Sequence, residues 1–256
     1  MNKKKLVTIA IVVVMIATLS FSTLAYFTAQ DKVTNNFTVS SSMTDFDIDV
    51  WEEVPGPDNT PIEVGKGNTG TNGTTYTNVL PGVEYLKTVH VTNTSGNELA
   101  GQYIKVEVTF TGYKALKSMG EGTSNYDCTG MLKGANFSSD KAVNSVGWWY
   151  DSSATKYSTD GNEATYTFYL KSVLENEDDV ILFEKVALPE NMDINDAELL
   201  VDGGGFKIDV VAYAIQSANI TDPNAGATAT ALDHAIYAFG QPWTESQTPT
   251  TPPENT

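Results

Sequence analysis

The sequence is poor in cysteine, basic residues and histidine. It contains one cysteine, Cys128, among 256 residues, so no disulfide can form within the chain and the fold must depend on its core and hydrogen bonds. Arginine is absent, and the 15 basic residues are all lysines. The two histidines, His90 and His234, are far apart, and neither lies in an HExxH motif. This excludes the ligand pattern of a zincin peptidase.

The shortage of positive charge excludes several classes of partner. The formal net charge is −17 at pH 7, from 15 basic and 32 acidic residues. Without the first 25 residues, which hold three lysines and no acid, it becomes 12 − 32 = −20. Such a surface repels nucleic acid and anionic membranes, so neither is expected as a partner. It favours solubility at high concentration, and it also attracts divalent cations and basic surfaces.

The N-terminus has the pattern of a secretory signal. Three consecutive lysines precede an apolar run from Leu6 to Leu19, and the positive end of such a signal stays inside the cell. The small residues Thr23 and Ala25 predict cleavage between Ala25 and Tyr26. Residues 1–25 are therefore interpreted as a signal peptide, and the protein is expected to be secreted.

An uncleaved membrane anchor is the alternative interpretation of the leader. As a helix, the run Leu6–Leu19 reaches only about 21 Å, which is short of a hydrocarbon core of about 30 Å. Extension of the helix through Phe27 would span the bilayer. In that case the leader is the expected contact with a membrane.

Hydrophobic alternation with a period of two dominates the mature chain and predicts β-strands. In the stretch Gln102–Tyr113, apolar residues at 104, 106, 108 and 110 alternate with mostly polar ones. In Asp45–Trp51, we expect the apolar residues to face a core and Asp45, Asp47 and Asp49 to face water. Similar patterns recur as far as the stretch 206–216.

These patterns predict one domain over residues 26–243. Nine or ten short strands with little helix indicate an all-β fold, an antiparallel jelly-roll-like β-sandwich with long loops. Residues 55–73 are predicted to be a surface loop and residues 114–144 to be mainly loops. A short C-terminal helix is expected within 225–239, and the Pro/Thr-rich tail 244–256 is expected to be disordered.

Four stretches share a pattern with one known family. TLAYFTAQDKVTNNFTV (residues 23–39) follows the apolar run directly and leads into DFDIDVWE, and LPGVEYLKTVHVTNTSGN and VVAYAIQSA come later. Together they resemble the TasA/camelysin family of exported fibre and matrix proteins of Gram-positive bacteria, which a SipW-type signal peptidase processes. The resemblance covers both ends of the mature domain and leaves the middle third unmatched.

The resemblance implies that residues 26–39 are a donor strand that completes the sheet of a neighbouring copy. Phe27, Val33, Phe37 and Val39 would be buried in that interface. Repetition of the contact does not close, so it grows a filament. The expected function is an exported, self-associating subunit of a cell-surface or biofilm-matrix fibre, with a SipW-type peptidase as partner during export. The same segment also fits the first intramolecular strand of a monomer, because a strand pattern does not show which molecule it pairs with.

The alternative function is a monomeric binding module, secreted or membrane-tethered, for a surface glycan or protein. The stretch GWWYD places Trp148 and Tyr150 on one face of a strand and Trp149 on the other. Exposed aromatic rings can stack on sugars, whereas buried rings belong to the core. The core interpretation is favoured, because at least one face must be buried.

No catalytic, metal-binding or cofactor-binding residue is predicted, and an enzyme is not expected. His90 and His234 are each expected at the surface or at an edge, and the surroundings of Cys128 match no nucleophile signature. Acidic residues share one strand face and cluster in loops near residues 178–179 and 193–196. Their oxygens suit Ca²⁺, but no D-x-[DN]-x-[DN]-G run is present, so a solvated acidic surface is favoured.

Overall fold

The alternating stretches form the strands of two packed β-sheets with few helices, which confirms the predicted all-β sandwich. The signal peptide predicted for residues 1–25 and the tail predicted for 244–256 lie outside the described residues. The computed structural model describes residues 28–32, 47–56, 58, 60–68, 76, 79–96, 101–117, 126–202, 205–218, 220–224 and 226–240.

The first sheet has six strands in the order β1-β11-β5-β9-β8-β7. All its neighbouring pairs are antiparallel except β7–β8, which is parallel. The six strands are β1 (Thr28–Lys32), β5 (Gln102–Thr111), β7 (Phe137–Ser138), β8 (Trp148–Tyr157), β9 (Glu163–Leu170) and β11 (Lys207–Gln216).

The second sheet has five antiparallel strands in the order β3-β2-β4-β10-β6. They are β2 (Ile48–Pro55), β3 (Pro61–Val64), β4 (Glu84–Asn93), β6 (Leu132–Lys133) and β10 (Asp179–Ala187). Strand β3 lies inside the stretch 55–73 predicted to be a loop, so that prediction is wrong there. Because β3 is an exposed edge strand, it pairs with the backbone of β2 but needs no alternation of apolar residues. A turn joins the two strands, in which the Gly56 N–H donates to the Thr60 carbonyl at 2.8 Å.

In the described part of the chain, three α-helices accompany the sheets: α1 (Tyr113–Leu116), α2 (Ile194–Asp202) and α3 (Ala231–Gly240). Helix α3 confirms the predicted C-terminal helix. Helix α2 was not predicted, although its start carries a recognisable signal. The Asp193 carboxylate accepts hydrogen bonds from the backbone N–H groups of Asn195 at 2.7 Å and Asp196 at 2.9 Å, which is the N-cap geometry that acidic residues favour.

The core lies between the sheets and contains the residues that alternation predicts. The four apolar residues of β5 at 104, 106, 108 and 110 are fully buried, as are Trp148 and the core side of β11. This confirms the core interpretation of Trp148 and of its neighbour Tyr150. Helix α3 forms a second apolar cluster on the outer face of the six-stranded sheet, where Ala235 and Ala238 pack with Tyr103.

One predicted face of β2 is wrong. Asp47 is exposed, as expected, but Asp49 is buried. A turn over Lys66–Asn68 lies against this face, and the Gly67 N–H donates to the Asp49 carboxylate at 2.6 Å. Gly67 has a φ of 66°, which glycine adopts readily. Alternation alone does not reveal a turn from elsewhere in the chain that folds over a polar face.

Candidate functional site

The N-terminal strand β1 covers one edge of β11. The antiparallel register pairs Thr28 with Ile215 and Lys32 with Val211. Within the described part of the chain, β11 is the only strand beside β1, so β1 forms the edge of the six-stranded sheet. The segment is thus paired within its own chain, which is one of the two arrangements that the sequence leaves open.

The edge of β11 that β1 covers lies next to buried apolar side chains, so it favours a neighbouring strand. On its other side, β5 pairs with the whole length Lys207–Gln216, whereas β1 pairs only with Val211–Ile215. The core-facing residues Val210, Ala212 and Ala214 are fully buried. Removal of β1 would leave a row of unpaired backbone N–H and C=O groups next to buried apolar side chains, and such an edge favours the addition of another strand.

The predicted site residues themselves cannot be placed on this edge. Ala25 and Tyr26 of the cleavage site, and the predicted interface residues Phe27, Val33, Phe37 and Val39, all lie outside the described residues. Their roles stay predictions. The described pairing therefore concerns the backbone of β1 and its position in the sheet.

A buried polar network fixes the point at which the chain enters β2. The Gln102 amide Nε2 donates to the Asp47 carbonyl and the Asn93 side chain, each at 2.9 Å, and to Ser95 Oγ at 2.8 Å. The Asp47 N–H donates to Ser95 Oγ at 3.0 Å. We call these four residues the polar clasp. They join the start of β2, the end of β4 and the start of β5, and so tie the two sheets together.

The polar clasp was not found by sequence reasoning. The alternating pattern predicts only a strand that begins at Gln102. Buried amide side chains are recognisable only when their partners are known, because a polar residue at a strand end is normally solvated. The network anchors the chain directly after the segment 33–46 that connects it to β1.

His90 is buried on the outer face of β4, which differs from the predicted surface or edge position. Its ring stacks on Trp51 with centroids 3.8 Å apart, and Nδ1 forms a 2.7 Å hydrogen bond with the Asp179 carboxylate. Thr92 Oγ1 donates to the other Asp179 oxygen at 2.7 Å. Lys66, from the covering turn, places its ammonium 4.1 Å from the Trp51 ring centre. These contacts hold the His90 ring against Trp51 and Asp179.

Asp179 gives this cluster a pH dependence. Partial burial acts to raise the pKa of its carboxyl, but hydrogen bonds from His90 and Thr92 outweigh that effect and hold the pKa below its ordinary value of 3.8. Protonation therefore favours the unfolded chain. The stabilisation is present above the ordinary pKa of the carboxyl and is lost as the pH falls through its lower pKa in the folded protein.

Substitution Asp179→Asn is expected to lower the free energy of unfolding at neutral pH by less than about 1 kcal/mol, because the side chain is more than a third exposed and solvent screens the interaction. Urea unfolding of parent and variant should give a difference that shrinks below about pH 3.8. Asp178→Asn, at the exposed neighbouring position, is the control. A difference that grows in acid would contradict the assignment.

Cys128 and His234 lie in different parts of the fold, the core and helix α3. Cys128 is fully buried, and burial raises the pKa of its thiol to about 12, so it remains a protonated, unreactive thiol at neutral pH. His234 Nδ1 accepts from the Asp222 N–H at 3.0 Å. Among the described residues, no group of three or more histidine, cysteine or acidic side chains is placed to hold a metal ion.

The two tryptophans of β8 have different environments. Trp148 is fully buried, so a glycan contact cannot involve it in the folded protein. Trp149 is half-buried on the opposite face, stacked on Tyr169 with centroids 5.7 Å apart. The Lys141 ammonium lies 4.3 Å from its ring centre. One face of Trp149 is therefore packed on Tyr169, and a cation lies against its ring.

Comparison with known proteins adds no relative to these observations. No protein-family model, curated protein or solved structure matches the chain. In the described ranges, no helix has both the length and the apolar character needed to cross a membrane.

Proposed function

We propose that the protein is an exported structural subunit of a cell-surface or biofilm-matrix fibre, in which the N-terminal strand of one copy completes the six-stranded sheet of the next. The observation that carries this proposal is the position of β1, a terminal strand of five residues held at the edge of β11. The same strand of another copy has the same sequence and can occupy the same place. The leader and the resemblance of the first strands to the TasA/camelysin family support export and fibre formation.

The direction of β1 supports a head-to-tail arrangement. Thr28 pairs with Ile215, and the next residue of β11, Gln216, pairs with Gln102 of the polar clasp. Strand β1 therefore begins near the clasp and runs away from it. A donated strand would leave the acceptor in that direction, and the 14 residues 33–46, with a reach of up to about 46 Å, would lead to the body of the donor. Such a heterologous contact does not close, so it generates a filament.

The alternative, a monomeric binding module, retains β1 permanently in its own sheet. The two functions differ in one measurable respect. In associated protein, β1 of the binding module pairs with its own chain, whereas β1 of the fibre subunit pairs with a neighbouring copy. A covalent trap between β1 and β11 reports this directly.

The trap is a pair of cysteines at Lys32 and Val211, which are register partners. Facing residues of antiparallel strands have Cα atoms about 4.5–5.5 Å apart, within the range that a disulfide spans, and the native Cys128 is buried. Oxidation of assembled protein is expected to give a ladder of disulfide-linked oligomers on a non-reducing gel. Oxidation of dilute monomer is expected to give an intrachain bond that blocks filaments until a reductant is added.

A matched control uses the same strand β11 and a partner that never leaves it. Cysteines at Thr109 and Asp209, register partners in β5 and β11, should form an intrachain disulfide and leave assembly unchanged. If filaments of the Lys32/Val211 variant give only intrachain disulfides, strand donation is wrong and the binding module becomes the better interpretation.

A further inference from the structure

Exchange of β1 between copies does not by itself favour a fibre. The pairing of β1 with β11 is the same whether the strand comes from its own chain or from a neighbour, so the exchange gains no strand contacts. Association, however, loses translational and rotational freedom. A fibre therefore requires a second contact that the monomer lacks.

One end of the sandwich is unusually apolar for an exposed surface. Among the described residues, the exposed large hydrophobic side chains are Ile62 (44% exposed), Leu80 (61%), Val83 (43%) and Tyr157 (44%). We call the end that carries these four residues the apolar end. Single exposed apolar residues are common on soluble proteins, whereas a group of them at one end of the fold is a candidate interaction surface.

The strand registers place all four side chains at the same end. Ile62 pairs with Val54 beside the turn that joins β2 and β3, and Leu80 and Val83 come directly before the start of β4. Tyr157 pairs with Ala164, which in turn pairs with Phe110 near the end of β5. The start of β4 and the end of β5 lie opposite the polar clasp, because the clasp joins the end of β4 to the start of β5.

We propose that the apolar end of one copy binds the next copy at the end that carries the polar clasp. This contact favours pairing of β1 with β11 of a neighbour over pairing with β11 of its own chain. The inference rests on the proposed function. Strand β1 runs from the clasp towards the apolar end, so a donated strand leaves the acceptor on the side of this surface. The donor body follows after residues 33–46, and the first described residue after them is Asp47 of the clasp.

Charge at the apolar end is compatible with contact between two acidic molecules. Glu63, beside Ile62, is paired with Lys66 at 2.7 Å, and Glu84, beside Val83, is paired with Lys185 at 2.9 Å. Each of these two acids thus has a lysine partner. Without residues 1–25 every copy has a net charge of 12 − 32 = −20, so an apolar surface beside these two paired acids is a place where copies approach with less repulsion.

The test is the full chain with Ile62→Thr, Leu80→Gln and Val83→Thr, combined with the cysteine pair at Lys32 and Val211. These side chains are exposed, so the melting temperature is expected to stay that of the parent. The lowest protein concentration that forms filaments should rise at least about tenfold, equivalent to about 1.4 kcal/mol. At concentrations where the parent gives a disulfide ladder, the variant should give intrachain disulfides.

The control and the possible results distinguish the contact at the apolar end from strand donation. Ser152→Gln, at an exposed position of β8, should change neither filaments nor ladder. If the triple variant keeps both at the parent concentration, the apolar end is not the contact, although strand donation stands. If the parent filaments contain only intrachain disulfides, strand donation fails and this inference fails with it. Should the triple variant unfold at a lower temperature, Leu80→Gln alone, at the most exposed position, supplies the same comparison.

Discussion

Deletion of residues 26–39 is expected to leave a folded monomer that forms no filaments. The deletion removes β1 and uncovers Val211–Ile215 of β11, but the core residues that the structure describes belong to other elements. Loss of backbone hydrogen bonds along one short edge should lower the free energy of unfolding by about 1–3 kcal/mol, which leaves the sandwich intact. Electron microscopy should show no filaments at any concentration at which the parent assembles.

Addition of residues 26–39 as a synthetic peptide provides a second test of the deletion variant. The peptide should bind the open edge of β11, raise the melting temperature towards that of the parent, and still give no filaments, since it joins no second body. Deletion of residues 244–256, the Pro/Thr tail, is the matched truncation and should leave assembly unchanged. Filaments of the 26–39 deletion that grow at the parent rate would rule out strand donation.

Substitution Lys87→Met is expected to have the largest effect on stability of any single change proposed. Lys87 and Glu52 form a salt bridge between adjacent strands on the core side of the five-stranded sheet, and the Glu52 side chain is only 1% exposed. The second carboxylate oxygen of Glu52 accepts no hydrogen bond from any described residue. Loss of the lysine leaves a buried charge without compensation, and the free energy of unfolding should fall by about 3–5 kcal/mol.

The double variant Glu52→Leu with Lys87→Met shows whether the cost comes from the unpaired charge. Replacement of a buried ion pair by apolar side chains is often neutral or stabilising by about 1–4 kcal/mol, so the double variant should recover the parent stability in urea unfolding. Lys185→Met, in an exposed pair with Glu84, is the control and should cost less than about 1 kcal/mol. A double variant less stable than Lys87→Met would contradict this explanation.

Alternation predicted the strands and most of their faces. The stretch 102–113 became β5 with its four apolar residues buried, and the C-terminal helix formed where alanine-rich periodicity indicated it. Period-two and period-3.6 patterns are local properties of the backbone, and each fixes which side chains share a face. For that reason, they are readable from a single sequence.

The features that local patterns did not predict have a common physical cause. Asp49 is buried because the turn at Lys66–Asn68 lies over it, and His90 is buried because Trp51 stacks on its ring and Asp179 bonds its Nδ1. Strand β3 is formed by an exposed edge with little apolar signal, and Gln102 is buried because its partners arrive from β2 and β4. Each error depends on groups distant in sequence, which a local pattern does not contain.

Composition and short-range periodicity are enough to predict the all-β class, the acidic surface and the leader. They also exclude a disulfide within the chain and a zincin motif. The position of β1 on the edge of β11 and the polar clasp at Asp47 depend on the folded arrangement of distant segments. So does the location, at the opposite end, of the large apolar side chains that are exposed among the described residues. Strand edges and surfaces are created when distant segments pack together, so their neighbours are set by the whole fold.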